Sequence, residues 1–405
     1  MDIDFTYPAV VFGTYETGLG VARALGKAGI HVHGMDVKKE IGFYSKFVHG
    51  QICPHPVKEE GRFIDHLVSF GKILDQKSVL FVTSDNFIPA ISRNRDILQD
   101  YFQFNLPSAE ILNNTVNKFN QYHLFKDIAN LPLTFQMESP GDLDIIGGQV
   151  LFPAFIKGRE VQSWRSRING RTKGFIARDK DELFRIANPI LQKGIPVIVQ
   201  DLIPGPDTNH YKYCGYFSLT GKCLASFTLQ KKLQFPRHSG VGAIVESCNY
   251  PELEELGRSL LETISYTGIG SIEFKLDARD GKLKLIELNP RYWQQISLAT
   301  ACGINFPFID YLESTRQQVK DHDQDDGKSC QSDPGNSFTF KTGVKWINYL
   351  MAMQSVDRSA WSSLTQGPRV FSDFAADDPL PAMNKIRFWK KISVFLKFIF
   401  CSRKG

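Results

Sequence analysis

Glu273, Glu287, Asn289 and Arg291 fall within one short stretch of the chain, in Gly270-Ser-Ile-Glu-Phe-Lys-Leu-Asp and Leu285-Ile-Glu-Leu-Asn-Pro-Arg. Both pieces alternate apolar and polar residues and read as strands. Asp280-Gly281 between them is a hairpin turn signal. On paired antiparallel strands Glu273 and Glu287 can share a face, and Asn289, two residues on, keeps it. Three hard oxygen donors in one place suit Mg²⁺ held together with substrate phosphates. Arg291 adds a planar fork for a phosphate or a carboxylate. The plainer reading is a surface hairpin with solvated acids, and the rest of the chain has to decide between them.

The elements that would carry such a site are legible on both sides of it. Pro8 to Phe12 is an apolar run, followed by Gly13-x-x-x-x-Gly18-x-Gly20 and a helix-spaced segment, then Ile30 to Asp36 as a second strand. This is the opening of a doubly wound sheet. The glycine spacing is not the dinucleotide fingerprint, which argues against a dehydrogenase. Gly18 and Gly20 serve either an anion at the helix start or tight turn geometry. Ser78 to Thr83 is another buried strand, and Ser84-Asp85 after it sits where ligands bind or where a helix is capped; the cap is preferred. Asn117 to Lys126 reads as a helix and Phe152 to Lys157 as a strand ending in a lysine. Asp179 caps the next helix, and Pro196 to Gly205 is a strand running into a Pro-Gly break. Tyr213–Phe217 and Cys223–Leu229 form a hairpin around Thr220-Gly221. Glu252 to Tyr266 is an amphipathic helix leading to the acidic hairpin.

Composition narrows the class. The 405 residues are 42% hydrophobic and 22% charged, an ordinary globular balance with ample core for two or three domains. The net charge of +5 is uneven: residues 384–405 carry seven basic side chains and no acid, which leaves the rest of the chain slightly acidic. The 31 phenylalanines show no basic-aromatic repeat, so nucleic acid is not an expected partner. The seven cysteines are scattered, with no zinc spacing, and read as reduced thiols of a cytoplasmic protein. No signal peptide and no membrane-spanning run is evident. Gly327-Lys-Ser lacks the first glycine and the strand of a P-loop.

Together these pieces resemble the ATP-grasp superfamily of carboxylate–amine ligases, and within it D-aspartate-ligase-like enzymes, over about residues 8 to 310. The most specific motif is Glu273…Glu287-Leu-Asn289-Pro-Arg291. The fold this implies is α/β (α+β ATP-grasp). Residues 1–114 would form a Rossmann-like domain and 115–315 the two α+β subdomains that clasp ATP. A polar linker would follow at 316–337, a C-terminal extension at 338–383 and a basic amphipathic tail at 384–405. The resemblance implies Mg²⁺ (or Mn²⁺) on Glu273, Glu287 and Asn289, with ATP as co-substrate. It places Lys118 and Lys157 on the nucleotide phosphates, and Gln200, Asp201, Leu202 and Ile203 at the adenosine, with Asp207 nearby. Lys173 and Lys232 become phosphate-facing cations, Arg237 a contact for the carboxylate substrate, and Arg291 the stabiliser of an acyl phosphate. An amine would then attack, giving an amide, ADP and phosphate. Two departures stand out: Lys157 is followed by Gly158 where the family has proline, and the segment after it holds Arg165 and Arg167 in place of several glycines. Asp201 is shorter than the family's usual glutamate. A non-catalytic nucleotide-binding regulator on the same fold is the alternative.

In the tail, Phe388, Trp389, Ile392, Phe395, Leu396 and Ile399 form one helical stripe with lysines off it. This reads as a helix for an anionic membrane surface, peripheral at the inner face. A helix docked on the body or on a partner is the other reading. A homo-oligomer is compatible with the chain.

Overall fold

The computed structural model describes residues 3–159, 164, 167–168, 174–236, 240–317, 339–355 and 358–387. Its first sheet is built from β1 (Ala9–Phe12), β2 (Val32–Asp36), β3 (Val48–Ile52), β4 (Ser78–Val82) and β5 (Phe102–Gln103). The order is β3-β2-β1-β4-β5, and the neighbours pair in parallel. All four β1 residues are buried, as a central parallel strand covered on both faces requires. Strand order reverses at β1 and β4, so their carboxyl ends open the crevice in which such sheets hold ligands.

Helix α1 (Glu16–Lys27) follows β1, α2 (Glu60–Lys72) follows β3, and α3 (Ile88–Arg93) follows β4. Gly13 makes the turn into α1 at φ +82°, a conformation open to glycine. Gly18 lets α1 start against that turn, since a Cβ there would lie 2.0 Å from the Gly13 carbonyl oxygen. A Cβ on Gly20 would meet Ile296 at 2.7 Å. Close packing therefore accounts for both. The anion at the start of α1 is the chain's own Glu16, 1% exposed.

The second sheet is antiparallel, from β6 (Thr134–Met137), β7 (Ala154–Gly158), β8 (Phe175–Ala177) and β9 (Val197–Asp201), in the order β6-β9-β7-β8. The helix Lys180–Leu191 backs it, with Asp179 capping through the Glu182 N–H at 2.8 Å. This small unit has its own core around Ile156, Leu183, Val197 and Val199.

The third sheet comprises β10 (His210–Phe217), β11 (Cys223–Phe235), β12 (Val241–Ser247), β13 (Gly268–Leu276), β14 (Leu283–Asn289), β15 (Lys345–Ile347) and β16 (Arg369–Phe371). Its order is β14-β13-β10-β11-β12-β15-β16. One face shares a continuous core with α1 and the first sheet. The other faces the small sheet across a cleft.

The C-terminal segment closes back on the first sheet. Asp378 accepts from Arg23 Nε at 2.9 Å and Ser45 Oγ at 2.6 Å, and its side chain is almost wholly buried. Residues 380–387 are helical, and Lys385 turns inward to Glu16 at 2.5 Å and Asp373 at 2.8 Å. The start of the tail is thus docked on the body. The apolar stripe from Phe388 onward lies outside the described residues, as does most of the polar linker. Among the described residues no helix is long and apolar enough to cross a membrane.

Candidate functional site

The cleft between the small and large sheets has a volume of about 980 Å³. Its floor is the β13–β14 hairpin, where Glu273 stands directly opposite Glu287 and Ser271 opposite Asn289. Simple alternation along β14 would have put Glu287 on the buried face with Leu283 and Leu285. A β-bulge prevents this: Phe274 pairs with Leu285 and Glu273 with Glu287, so the ladder skips Ile286. The extra residue flips the rest of the strand, burying Leu288 and turning Glu287 and Asn289 to the cleft. The Ile286 carbonyl accepts from Tyr122 Oη at 2.6 Å.

Two carboxylates placed face to face by register repel unless cations flank them. Lys212, directly across β10 from Glu273, reaches it at 3.1 Å, and Lys231 reaches it at 2.9 Å. Lys118, from the helix Lys118–Phe125, bonds Glu287. Burial works against the Lys118 charge, yet Glu287 outweighs it and holds its pKa above the ordinary lysine value. Lys275, on the same face of β13, goes the other way: burial lowers it, with Asp207 and Asp277 opposing and Lys231 reinforcing.

Lys157, 8% exposed on β7, comes from the opposite wall. Its ammonium donates to Tyr122 Oη and Gln200 Oε1, both at 3.0 Å, and lies 5.1 Å from the Tyr122 ring centre. The bulge at Ile286, Tyr122 and Lys157 therefore form one chain of contacts across the cleft.

Arg291 closes the far end. Its guanidinium grips Asp85 with two bonds, 2.5 and 3.1 Å, and also donates to the Tyr292 carbonyl at 3.0 Å and Asn289 Oδ1 at 3.4 Å. Burial pulls its pKa down, but Asp85, Glu287 and Glu273 give a net rise. Asp85 is not the helix cap the sequence suggested, since α3 begins without a side-chain cap. It instead ties the carboxyl end of β4 to the acidic hairpin.

No family model matches the chain. It is 26% identical over 303 residues to a D-aspartate ligase of Enterococcus faecium (strain Aus0004), covering 68% of this chain and 72% of that one. Among solved structures, the N5-carboxyaminoimidazole synthetase of Staphylococcus aureus complexed with ADP aligns with a TM-score of 0.60. Its identity is 13%, over 78% of this chain and 79% of that one. The L-amino acid ligase of Bacillus licheniformis aligns with a TM-score of 0.57 at 13% identity, over 77% and 75%. The chain has the α+β ATP-grasp fold and is similar in sequence to a D-aspartate ligase.

In this ATP-grasp fold the cleft gathers Lys118, Lys157, Gln200, Asp201, Leu202, Ile203, Glu273, Glu287, Asn289 and Arg291, all expected from the sequence. Asp207 stands one side chain back, accepting from the cleft residue Gln234 at 3.1 Å. Lys232 does not line the cleft. The β11 ladder pairs Lys231 with Val245 and Leu233 with Ile244, leaving Lys232 as a bulge residue that bonds Gln230 and Glu246. Lys231 is the cleft lysine of that pair. Lys173, Arg237 and Arg165 lie outside the described residues, and Arg167 donates to the Gly194 carbonyl.

Four contributors escaped the sequence reading. Lys212 and Lys275 were legible in the alternation of His210-Tyr-Lys-Tyr and Glu273-Phe-Lys, but only strand pairing brings Lys212 to Glu273. Arg279, in the hairpin turn, grips Asp201 at 2.6 Å and Asp277 at 2.6 Å, and holds the Asp277 carboxyl below the usual range. Gln294, just beyond Arg291, lines the cleft and bonds Glu16.

Proposed function

We propose that this ligase activates the carboxylate of an amino acid with ATP and joins it to an amine. The observation that carries the reading is the opposed pair Glu273–Glu287, facing Lys157 across one cleft with Arg291 at its end. Lys118 and Lys157 would hold the nucleotide phosphates, and the backbone of Gln200 to Ile203 with the Asp201 carboxylate would hold the nucleoside. The donor set fits a divalent cation, being two carboxylates and an amide oxygen on one face. Glu273, Glu287 and Asn289 would hold Mg²⁺, which when bound neutralises phosphate charge.

The substrate carboxylate attacks the γ-phosphorus, and the bond to the ADP oxygen breaks. The amine lone pair then attacks the acyl carbon of the acyl phosphate, and phosphate leaves, with one amine proton released. Arg291 would stabilise the charge on the acyl phosphate and its tetrahedral successor, and Arg237 would contact the substrate carboxylate. Small-sheet closure over the cleft would shield the acyl phosphate from water. The D-aspartate ligase relative makes D-aspartate the first carboxylate to test.

The test is ADP formation from MgATP with D-aspartate and a panel of amines, alongside Glu287→Ala. ADP release that requires D-aspartate and Glu287 supports the reading. AMP as product would replace the acyl phosphate with an adenylate. MgATP binding without turnover on any carboxylate would favour the regulator.

A further inference from the structure

Gln294 belongs to the cleft wall but is governed from outside it. Its Nε2 donates to Glu16 Oε2, and the other Glu16 oxygen accepts from Asn348 Nδ2 at 2.6 Å and Lys385 Nζ at 2.5 Å. Glu16, Asn348 and Lys385 are 1%, 1% and 4% exposed. The Lys385 ammonium keeps its charge here: burial opposes it, but Glu16 and Asp373 raise its pKa overall.

Glu16 accepts at both oxygens here, from Asn348 and Lys385 at one and from Gln294 at the other. It therefore fixes the Gln294 amide one way round, with the NH₂ toward Glu16. The amide oxygen is left for the cleft, and among the described residues it makes no hydrogen bond to protein. A carbonyl acceptor turned to the cleft three residues from Arg291 suits an ammonium rather than a phosphate.

Building on the amino-acid ligase reading, we propose that Gln294 Oε1 recognises the ammonium of the amino-acid substrate. Lys385 and Glu16 act as positioning residues that hold it in that orientation. The C-terminal segment is then part of the substrate site, through Lys385, although it lies beyond the acidic hairpin in sequence. Asn348 shares the task from the helix Tyr349–Met353 that it caps.

The test compares D-aspartate with succinate, which keeps both carboxylates and lacks the ammonium, by calorimetric binding to the full-length protein with MgADP present. Wild type should prefer D-aspartate. Gln294→Met should weaken D-aspartate about ten- to a hundredfold, the range for one hydrogen bond to a charged group. Succinate and MgADP affinities should stay within twofold. Glu16→Gln frees the Gln294 amide to turn over, so it should lose the same preference to a smaller degree. Lys385→Met should follow Glu16→Gln; should it fail to fold, Gln294→Met alone decides. Equal losses for D-aspartate and succinate, or a preserved preference in Gln294→Met, would overturn the assignment while leaving the ligase reading intact. Wild type binding MgADP but neither acid would remove the amino-acid reading and this inference with it.

Discussion

Replacing Arg291 with lysine separates what this side chain does for stability from what it does for chemistry. In the folded protein it makes four hydrogen bonds, two of them a fork on Asp85. The Asp85 side chain is 50% exposed and that of Arg291 21%, so solvent screens the pair. Its worth to stability is about 1 kcal/mol or less, which in a chain of this size moves the melting temperature by roughly 2 °C. Lysine keeps the charge but offers a point contact in place of a fork, and it cannot hold Asp85 and the reacting group together. Loss of one such donor costs about 10²-fold in kcat, or roughly 3 kcal/mol. Arg291→Lys should therefore lower kcat for ADP release about a hundredfold while melting within about 2 °C of wild type. Asp85→Asn should show a smaller rate loss of the same kind, because it loosens the fork without removing it. Stopped assays of ADP formation beside thermal melts decide the matter. A rate loss under tenfold, or a melting change of many degrees accompanying it, would refute the reasoning that places Arg291 on the reacting group.

Other consequences are as direct. Asp201→Ala should erase discrimination between ATP and 2′-deoxyATP in competitive nucleotide binding; unchanged discrimination would take Asp201 off the ribose and leave it as the anchor of Arg279. Burial raises the Asp310 carboxyl to about 6, against bonds from Tyr292 and Tyr216. The folded state thus binds the proton more tightly than the unfolded chain, and this contribution to stability is present below pH 4 and lost as pH rises to 6. Asp310→Asn should flatten that part of the stability profile in denaturant titrations, and an identical slope in both proteins would count against it. Gly18→Ala, which drives a Cβ into the Gly13 carbonyl, should cost roughly 2 kcal/mol. Gly61→Ala in α2 meets nothing within 4 Å and should gain about 0.5 kcal/mol, both read from urea midpoints.

Sequence alone specified a good deal of this protein. Strands β1, β2 and β4 of the first sheet could be read because they are short apolar runs bounded by glycine and acidic signals, whereas β3 and β5 were not placed. The acidic hairpin could be read because Asp280-Gly281 marks its turn, and Gly281 indeed adopts φ +69°. Most of the cleft residues were named through the family resemblance that the order of those elements supports. Other features depend on pairing between distant segments. β12, β15 and β16 are parts of the large sheet that the sequence reading did not place, since their membership is decided by neighbours far along the chain. Asp85 looked like a local cap and became a tether because Arg291, two hundred residues on, arrives beside it. The face of Glu287 was decided by a bulge: local alternation points it into the core, and only skipping Ile286 in the ladder turns it to the cleft. The same device removes Lys232 from the cleft and leaves Lys231 there. A period of two fixes faces only while register is unbroken, and register is a property of two strands, which one strand's sequence does not carry.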